Sequence, residues 1–353
     1  MGGDGKMVNR ERGPLVVDFV GDFMLERRLE PDDVRATRLL FEGADAAIAN
    51  LDTVLSDRGA AVPKWANLRG PRDCAHDLRA MGIDLVAMAN NHAMDFRAEG
   101  MLDACRALDD ADVRHAGTGA DLAAASAPVV VETRNGALAV LSIACTLPPE
   151  SAAGPDSPGI APVHVRYAFA VDEALMPEQP GTVPGVWTEL HEPDVARARQ
   201  DIAAARTAAD AVVVVVHWGV PAPWRAPAHP ILQSYQRRLG RVLIDAGADA
   251  VLGNHAHELH GIELYQGRPI AYCLGNFWID TIAAYPWMGR ESMVFRLTLG
   301  DGVVTGAEVV PLLLDAHGVP RSDPSARSIA ILNEQSREFG VTVDAVDGRW
   351  IVT

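Results

Sequence analysis

The sequence predicts an α/β protein, and three features of the chain support this class. Runs such as LVVDFV, DLVAMA and AVVVVV are continuously apolar, which is typical of parallel strands that are buried on both faces. Stretches with a helical spacing of apolar residues separate these runs, as in a chain of alternating strands and helices. The phrases AMGID and DAGAD each indicate a helix that ends at a glycine and is followed at once by a strand.

The apolar runs predict strands over residues 14–21, 46–50, 84–89, 128–132, 138–144, 212–217, 250–253, 269–275, 291–299 and 303–311. The stretches between them predict helices near residues 31–42, 72–81, 97–110, 193–209 and 231–246. The dipeptide Asn135-Gly136 lies between two predicted strands and suits the positive φ angles of a type I′ turn. These two strands are therefore expected to form a β-hairpin.

We expect one domain over residues 14–311, with a flexible N-terminus at 1–13 and a C-terminal extension, 312–353, packed on the same domain. Two proline-rich stretches without a regular pattern lie inside it, at about 147–192 and at 220–230. Long irregular loops are often functional lids or disordered segments. Aromatic residues in or near these loops either anchor the core or surface or line an apolar substrate groove, namely Trp187, Trp224, Tyr285 and Trp287.

The 353 residues include 31 basic and 47 acidic side chains, which gives a net charge of -16. An acidic surface argues against nucleic acid and anionic membranes as partners. The N-terminus is polar and has no apolar stretch long enough for a signal peptide or membrane anchor, so a cytoplasmic protein is expected. The cysteines form no CxxC pair, and we expect buried, reduced thiols at Cys74, Cys105, Cys145 and Cys273.

Short polar clusters follow five of the predicted strands, at the point where each strand ends. They are Gly21-Asp22, Asn50-Leu51-Asp52, Asn90-Asn91-His92 with Asp95, His217-Trp218-Gly219 and Asn254-His255-Ala256-His257. Ligands of parallel sheets collect at the carboxyl ends of the strands, so these clusters are expected to meet in one site. Carboxylate, amide and imidazole groups are metal ligands, which predicts a metal centre there.

The motifs GDFML, NLD, ANNHAMDF, HWG, GNHAHELHGIE and IAYCLGNF occur in the order and spacing of the CapA-type proteins, which are named for poly-γ-glutamate capsule synthesis. The chain resembles this family from about residue 14 to residue 311. The CapA-type proteins belong to the calcineurin-like metallophosphatase superfamily. The resemblance implies a calcineurin-like fold, a four-layer αββα sandwich with the metal site at the strand ends.

The superfamily binds two metal ions, and the resemblance carries its ligand positions onto this chain. The second ion would have a complete set of ligands, namely Asp52, Asn91, His217 and His255. The first ion would have Asp22, Asp52, His257 and the residue at position 24, where Met24 replaces a histidine. A thioether is a poor ligand for a hard divalent ion, so one complete site and one degraded site are expected. The spacing of NLD also departs from the superfamily's GDxxD, which bears on Asp52.

Loss of a ligand would leave Asp22 and His257 available as a general acid/base pair, because a carboxylate orients an imidazole and keeps it basic. His92 and Asp95, which are three residues apart at a strand-to-helix turn, form a second such pair. In the alternative interpretation Asp95 caps the following helix and His92 makes a structural hydrogen bond.

Other polar residues have supporting roles in this interpretation. Gly275-Asn276-Phe277 and Asp280 are expected to orient the ligands or support the backbone of the site, with a direct role of Asp280 as the alternative. Arg69 and Arg97 are candidate phosphate ligands if the substrate is a phosphoester. The remaining histidines are expected at the surface or in loops, namely His76, His115, His164, His191 and His229.

Three functions fit these residues, and peptide epimerisation is preferred. A metal-dependent epimerase would use the two His/Asp pairs on opposite faces of a Cα, with a cation stabilising the enolate-like intermediate. Unanchored CapA-like proteins include epimerases of lasso-peptide precursors, and the chain resembles these. This implies a ribosomal precursor peptide as substrate, inverted at an aromatic or apolar C-terminal residue. The alternatives are a metal-dependent phosphoesterase or amide hydrolase, and a capsule assembly protein that handles poly-γ-glutamate.

One divalent metal ion is the expected cofactor. A site of carboxylate, amide oxygen and imidazole suits Mn²⁺, Fe²⁺ or Zn²⁺, whereas a water-rich site with few direct nitrogen ligands suits Ca²⁺. We favour Ca²⁺ or Mn²⁺, because histidines that hold the ion through water remain available to move protons. The oligomeric state is left open.

Overall fold

The computed structural model of the chain describes residues 13–182, 184–219, 232–300 and 302–353. Its strands are β1 (Leu15–Met24), β2 (Ala46–Leu51), β3 (Val54–Leu55), β4 (Arg69–Gly70), β5 (Leu85–Ala87), β6 (Arg114–Ala116), β7 (Thr118–Gly119), β8 (Val129–Glu132), β9 (Ala137–Ala144), β10 (Gly159–Ile160), β11 (Val165–Ala170), β12 (Gly185–Leu190), β13 (Ala211–His217), β14 (Ala250–Asn254), β15 (Ile262–Tyr265), β16 (Arg268–Ala271), β17 (Asn276–Ile279), β18 (Glu291–Gly300), β19 (Val303–Leu314), β20 (Pro320–Ser322), β21 (Val343–Val346) and β22 (Arg349–Val352).

The helices are α1 (Pro31–Arg38), α2 (Cys74–Met81), α3 (Arg97–Asp110), α4 (Leu122–Ser126), α5 (Leu175–Glu178), α6 (Glu192–Ala208), α7 (Ser234–Asp245) and α8 (Arg327–Ser336). Every predicted strand and helix has a counterpart close to its predicted position, although β5 and β16 are shorter than predicted. The alternation of strands and helices that the apolar runs indicated is therefore confirmed.

The strands form two large sheets, and each sheet contains a group of adjacent parallel strands. In the ten-stranded sheet the order is β21-β22-β19-β18-β1-β2-β5-β6, with β17 beside β1 and β20 beside β19. In the six-stranded sheet the order is β15-β16-β14-β13-β9-β8. β1, β2, β5 and β6 run parallel, as do β9, β13, β14 and β16. The predicted α/β class is thus confirmed, while the calcineurin-like assignment stays a prediction.

The largest hydrophobic cluster contains residues of both sheets. Val17 and Phe19 of β1 and Val213 and Val215 of β13 belong to it, because side chains of a strand alternate between its two faces. Each of these four side chains is at most 5% exposed. The intervening residue Val214 of β13 is equally buried, in a different cluster. Burial on both faces explains why these strands are apolar without alternation.

Helices cover the outer face of each sheet. Leu78 of α2 and Leu108 of α3 share a cluster with side chains of β1, β2 and β5 in the ten-stranded sheet. Ile202 of α6 and Leu239 of α7 share another cluster with side chains of β9, β13 and β14 in the six-stranded sheet. Each of these four helices therefore packs apolar side chains on one sheet.

Two glycines allow the close backbone packing beneath the strand ends. A Cβ atom at Gly21 would lie 1.9 Å from the carbonyl oxygen of Gly275, and one at Gly253 would lie 2.1 Å from the carbonyl oxygen of Tyr272. Backbone atoms cannot accommodate contacts this short, so only glycine fits at either position. Gly21 directly precedes Asp22, which brings that carboxylate close to the neighbouring strand.

The predicted hairpin is present, but its predicted turn type is wrong. β8 and β9 pair in antiparallel fashion from Glu132 and Ala137 outward. Asn135 has a negative φ, whereas a type I′ turn requires positive φ at both central residues. The loop has four residues instead of two, and it is closed by a hydrogen bond from the N–H of Thr133 to the carbonyl of Gly136.

The stretch 147–192 is more regular than predicted, because β11 and β12 form an antiparallel hairpin within it. Most residues of these two strands are exposed, on both faces of the hairpin. A strand without a buried face does not need alternating polarity, so the sequence carries no strand signal here. The predicted loop at 220–230, with Trp224 and His229, and residues 1–12 lie outside the described residues.

The last part of the chain adds strands to the ten-stranded sheet. β20 and β22 pair with β19, and β21 pairs with β22. Ile329 and Leu332 of α8 are buried in the cluster that contains both sheets. All four cysteines are buried and free, as predicted. No helix within the described residues combines the length and the apolar character that a membrane span requires.

Candidate metal centre and acid/base site

Two carboxylates and one imidazole form the centre of the site. Ligand atoms of Asp22, Asp52 and His257 all lie within 4.8 Å of one another, and the three side chains are buried. Among the described residues, neither carboxylate oxygen of Asp52 has a hydrogen-bond partner. Burial raises the pKa of Asp52, and the nearby Asp22 carboxylate raises it further. A divalent cation would satisfy both oxygens and offset this repulsion, so these residues fit a metal ion.

Two histidines and an amide lie against the same carboxylate. Nε2 of His217 is 2.7 Å from Oδ1 of Asn91, 3.1 Å from Nδ1 of His255 and 3.9 Å from Oδ1 of Asp52. Burial lowers the pKa of His217, and it lowers the pKa of His255 to about 3, with neighbouring histidines adding to both effects. Neutral imidazole is the form that binds metal ions. The four ligands that the resemblance implied for one ion thus lie close together.

Two of the histidines have an unusual backbone conformation. The φ angle is 104° at His255 and 57° at His257, in a region that few residues other than glycine adopt. Such a conformation costs roughly 1–3 kcal/mol per residue and is found mainly at functional sites. The strained turn after β14 directs both imidazoles to the site, with Gly253 and Asn254 still in the strand.

His92 and Asp95 form a tight imidazole–carboxylate pair. Nδ1 of His92 is 2.7 Å from Oδ2 of Asp95, and both side chains are buried. Burial lowers the pKa of His92, while the hydrogen bond to Asp95 opposes this shift. Asp95 does not cap α3, because that helix begins at Arg97 without a side-chain cap. Its Oδ2 instead accepts a hydrogen bond from the N–H of Leu68 (2.7 Å).

Lys64 joins this pair to a candidate metal ligand. Its Nζ donates a hydrogen bond to the carbonyl of Asn91 (2.7 Å), lies 3.3 Å from Nδ1 of His92 and forms an ion pair with Asp95. We did not identify Lys64 from the sequence. It lies in the loop between β3 and β4, outside the polar clusters that follow the strands.

His257 has two partners at its Nδ1 atom. Oδ1 of Asn276 is 2.8 Å away, and Oδ2 of Asp22 is 3.3 Å away. Asn50 donates a hydrogen bond to the other oxygen of Asp22 (2.7 Å). Burial raises the pKa of Asp22, and its contacts with His257 and Asn50 oppose this shift. The Asp22–His257 pair is therefore looser than the His92–Asp95 pair, and Asn276 orients the imidazole.

A cavity of about 270 Å³ adjoins this cluster. Its polar lining comes from Lys64, Asn91, His92, His255 and His257. The rest of its wall is apolar or aromatic and comprises Met24, Trp65, Ala66, Leu68, Pro148, Tyr285, Trp287 and Met288.

The aromatic side chains of the wall are neighbours. The ring centroids of Trp65 and Tyr285 are 6.1 Å apart, and those of Tyr285 and Trp287 are 6.2 Å apart. Trp287 lies 6.0 Å from the ring of His257. Of the two roles considered for Tyr285 and Trp287, these contacts favour the apolar groove, whereas Trp187 lies on the exposed strand β12.

Met24 and Asp280 make packing and hydrogen-bond contacts that support the structure around the site. Met24 is 2% exposed and packs in an apolar cluster with Leu68 and Ile279, so it contributes to the cavity as a hydrophobic residue. Asp280 accepts hydrogen bonds from the backbone N–H of Glu26 (3.0 Å) and from the indole of Trp278 (3.1 Å). It supports the backbone beyond β1, as predicted.

Neither candidate phosphate-binding arginine lines the cavity. Arg69 donates hydrogen bonds to the carbonyls of Arg58 (2.7 Å) and Gly59 (2.9 Å), and its guanidinium carbon lies 3.6 Å from the ring centroid of Phe96. Arg97 is the first residue of α3 and is also absent from the lining. Lys64 is the one cationic side chain among the described lining residues.

Known proteins resemble this chain over most of its length. It is 29% identical over 308 residues to the uncharacterized protein y4sH of Sinorhizobium fredii (strain NBRC 101917 / NGR234), covering 74% of this chain and 66% of that protein. The chain thus spans slightly less than two thirds of this relative. It is 26% identical over 355 residues to the PGA biosynthesis protein CapA of Bacillus subtilis (strain 168), covering 95% and 81% of the two chains.

A third relative is a probable polyglutamine synthesis accessory protein of Mycobacterium tuberculosis (strain ATCC 25618 / H37Rv), which is 28% identical over 311 residues. That match covers 85% of this chain and 74% of the relative. The family model described as bacterial capsule synthesis protein PGA_cap matches residues 16–281, which is most of the chain and includes all of the candidate metal ligands and acid/base residues. The chain therefore belongs to the PGA_cap family of bacterial capsule synthesis proteins.

Proposed function

We propose that this chain is a metal-dependent acid/base enzyme that inverts the Cα of an apolar or aromatic residue in a peptide. The observation that carries the proposal is the presence of two imidazoles, His92 and His257, in the wall of one cavity, each beside a carboxylate. The rest of the wall is largely apolar, which suits a hydrophobic side chain better than a phosphate group.

The metal ion would be held by the four clustered ligands, Asp52, Asn91, His217 and His255. When bound, a divalent cation supplies positive charge that stabilises a substrate oxygen as this oxygen becomes negative. The two imidazole ligands favour Zn²⁺ or Fe²⁺ over Ca²⁺, while the oxygen ligands from Asp52 and Asn91 suit Mn²⁺.

Each of the two proposed acid/base imidazoles has its Nδ1 atom occupied by the protein. Asp95 contacts Nδ1 of His92, and Asn276 and Asp22 contact Nδ1 of His257. The Nε2 atoms are therefore the ones that would face the substrate. In the proposed reaction, Nε2 of one imidazole takes the Cα proton and Nε2 of the other returns a proton to the opposite face. One C–H bond breaks and one forms, so the reaction needs no co-reactant.

A metal-dependent amide hydrolase is the second candidate, and the proximity of Asp22 and Asp52 favours it. Two adjacent carboxylates among histidines are able to hold a second ion, which would activate water. The name of the Bacillus subtilis relative, a PGA biosynthesis protein, suggests a glutamate polymer as the substrate of such an enzyme.

A capsule assembly protein that binds poly-γ-glutamate is the third candidate, and family membership supports it. The net charge of -16 opposes the binding of a polyanion, and so does the apolar wall of the cavity. Lys64, the cationic lining residue, already pairs with Asp95. The net negative charge, the apolar wall and the paired lysine together favour an uncharged, apolar substrate group.

An incubation in D₂O distinguishes the three candidates. The full chain, loaded with Mn²⁺ or Ca²⁺ or stripped with EDTA, is incubated with peptides that end in Trp or Phe and with poly-γ-glutamate. Mass spectrometry and chiral analysis measure deuterium uptake and cleavage. Metal-dependent uptake of one deuterium at a Cα, without cleavage, is the expected result. Cleavage without uptake would assign the hydrolase, and polymer binding without either reaction would assign the binding role.

A further inference from the structure

A second cluster of metal-binding side chains lies at the base of the exposed β11–β12 hairpin. His164 directly precedes β11, and His191 directly follows β12. The backbone N–H of His191 donates to the carbonyl of His164 (2.9 Å), so the two residues continue the pairing of the strands. Asp194, in the first turn of α6, reaches both imidazoles. Its Oδ2 lies 2.7 Å from Nδ1 of His164 and 3.1 Å from Nδ1 of His191.

The carboxylate of this cluster is held in place by the protein. Asp194 is buried, with 8% of its side chain exposed, while the imidazoles are 52% and 45% exposed. Its Oδ2 also accepts a hydrogen bond from the backbone N–H of His164 (2.9 Å), and its Oδ1 accepts one from Arg197 (2.9 Å). A fixed carboxylate with two accessible imidazoles is a donor set that an ion can enter from solvent without rearrangement of the backbone.

The donor set selects the type of ion. The ligand atoms of the three side chains all lie within 4.8 Å of one another. Two imidazoles and one carboxylate are a common set of Zn²⁺ ligands, with a fourth position left for water or another ligand. Imidazole nitrogen favours Zn²⁺ over Ca²⁺ and Mg²⁺, which prefer oxygen.

Such an ion would tie together the two ends of the hairpin. β11 and β12 form a two-stranded sheet of their own, and an isolated two-stranded hairpin is only marginally stable in water. The hairpin exposes three aromatic side chains, with Tyr167, Phe169 and Trp187 each more than half exposed. A bound ion at its base would restrict its motion relative to α6.

We propose that His164, His191 and Asp194 form a Zn²⁺ site, distinct from the acid/base site, that fixes the base of the β11–β12 hairpin. In the test, the full chain is stripped with EDTA, dialysed and titrated with ZnCl₂ by isothermal titration calorimetry. Wild type is compared with His164→Gln/His191→Gln and with Asp52→Asn/His255→Gln, which alters only the central site. A control variant, His76→Gln/His317→Gln, removes two exposed histidines outside both clusters.

Wild type and the control variant are expected to bind one more equivalent of Zn²⁺ than the hairpin variant, and Asp52→Asn/His255→Gln should retain that equivalent. Hydrogen exchange read by mass spectrometry should slow at residues 165–190 when Zn²⁺ is added to wild type or to Asp52→Asn/His255→Gln. Equal stoichiometry in wild type and the hairpin variant would overturn the proposal. Unchanged exchange of the hairpin in wild type would do so too, even if the hairpin variant fails to fold.

Discussion

Oδ2 of Asp22 lies 3.3 Å from Nδ1 of His257, although different sheets position the two residues. Asp22 is on β1 of the ten-stranded sheet, and His257 follows β14 of the six-stranded sheet. The contact means that the site is assembled where the carboxyl ends of both sheets meet. Its geometry therefore depends on how the sheets pack as well as on which ligands are present.

Gly21→Ala is expected to disturb this junction. The added Cβ would lie 1.9 Å from the carbonyl oxygen of Gly275, so β1 has to move and carries Asp22 with it. We expect a loss of about 1–3 kcal/mol in the free energy of unfolding, together with weaker Mn²⁺ binding. Urea unfolding and calorimetry measure the two effects. Gly306→Ala is the control, since its Cβ would meet nothing closer than 3.8 Å; similar behaviour of both variants would contradict the prediction.

Asp52→Asn is expected to abolish stabilisation by metal. An ion at 100 times its Kd raises the stability of the wild type by about 2.7 kcal/mol, seen as a higher Tm on addition of Mn²⁺. The variant should show no such rise. Without metal it should be at least as stable as the wild type, because it removes a buried carboxylate that lacks a hydrogen-bond partner. Asp57→Asn, an exposed position, is the control. A full metal response in Asp52→Asn would exclude this residue as a ligand.

His92→Gln is expected to lower turnover by about 10²- to 10⁴-fold, the usual contribution of a general acid or base. The fold should be retained, because glutamine is similar in size to histidine. A circular dichroism spectrum like that of the wild type would show this. Asp95→Asn should have a similar effect, since Asp95 orients the imidazole. His76→Gln, at an exposed position of α2, is the control. Undiminished turnover in His92→Gln would remove this histidine from the mechanism.

Lys64→Met tests the lysine that sequence analysis missed. The ammonium group opposes protonation of His92, so its loss should raise the pKa of that imidazole. The acidic limb of the pH–rate profile should then move to higher pH, and activity should fall by about 10- to 100-fold, as for other groups that orient an active residue. Metal binding measured by calorimetry should change little. A profile with an unshifted acidic limb would show that Lys64 does not act through His92.

His260→Leu tests a pH-dependent contribution to stability. Burial lowers the pKa of His260 from its ordinary value of 6.5 to about 4. Between these values the unfolded chain binds a proton that the folded chain does not, so this residue favours unfolding as the pH falls. The loss is on the order of 3 kcal/mol from pH 6.5 to 4.

The leucine variant should therefore lose less stability than wild type between pH 6.5 and pH 4.5, as measured by urea unfolding at both values. His76→Leu, at an exposed position, should behave as wild type. Equal losses in wild type and His260→Leu would show that folding does not lower the pKa of this imidazole.

The sequence by itself determined the order of strands and helices and the positions of most candidate ligands. Continuous apolar runs indicate buried parallel strands, and a polar residue at the end of such a run, such as Asp22 or His217, has to lie at the carboxyl edge of the sheet. Asn91 and His255 were found by the same argument. Neither the metal nor the reaction follows from it, because one donor set accepts several ions and supports several kinds of proton transfer.

Only the tertiary structure decided which side chains meet. Lys64 lies in a loop with no periodicity, so nothing local in the sequence pairs it with Asp95. His164 and His191 were expected to be ordinary loop or surface residues, and they come together because an exposed hairpin joins them and α6 supplies Asp194. Contacts of this kind depend on how distant segments pack, whereas strand and helix patterns report only which face of each segment is buried.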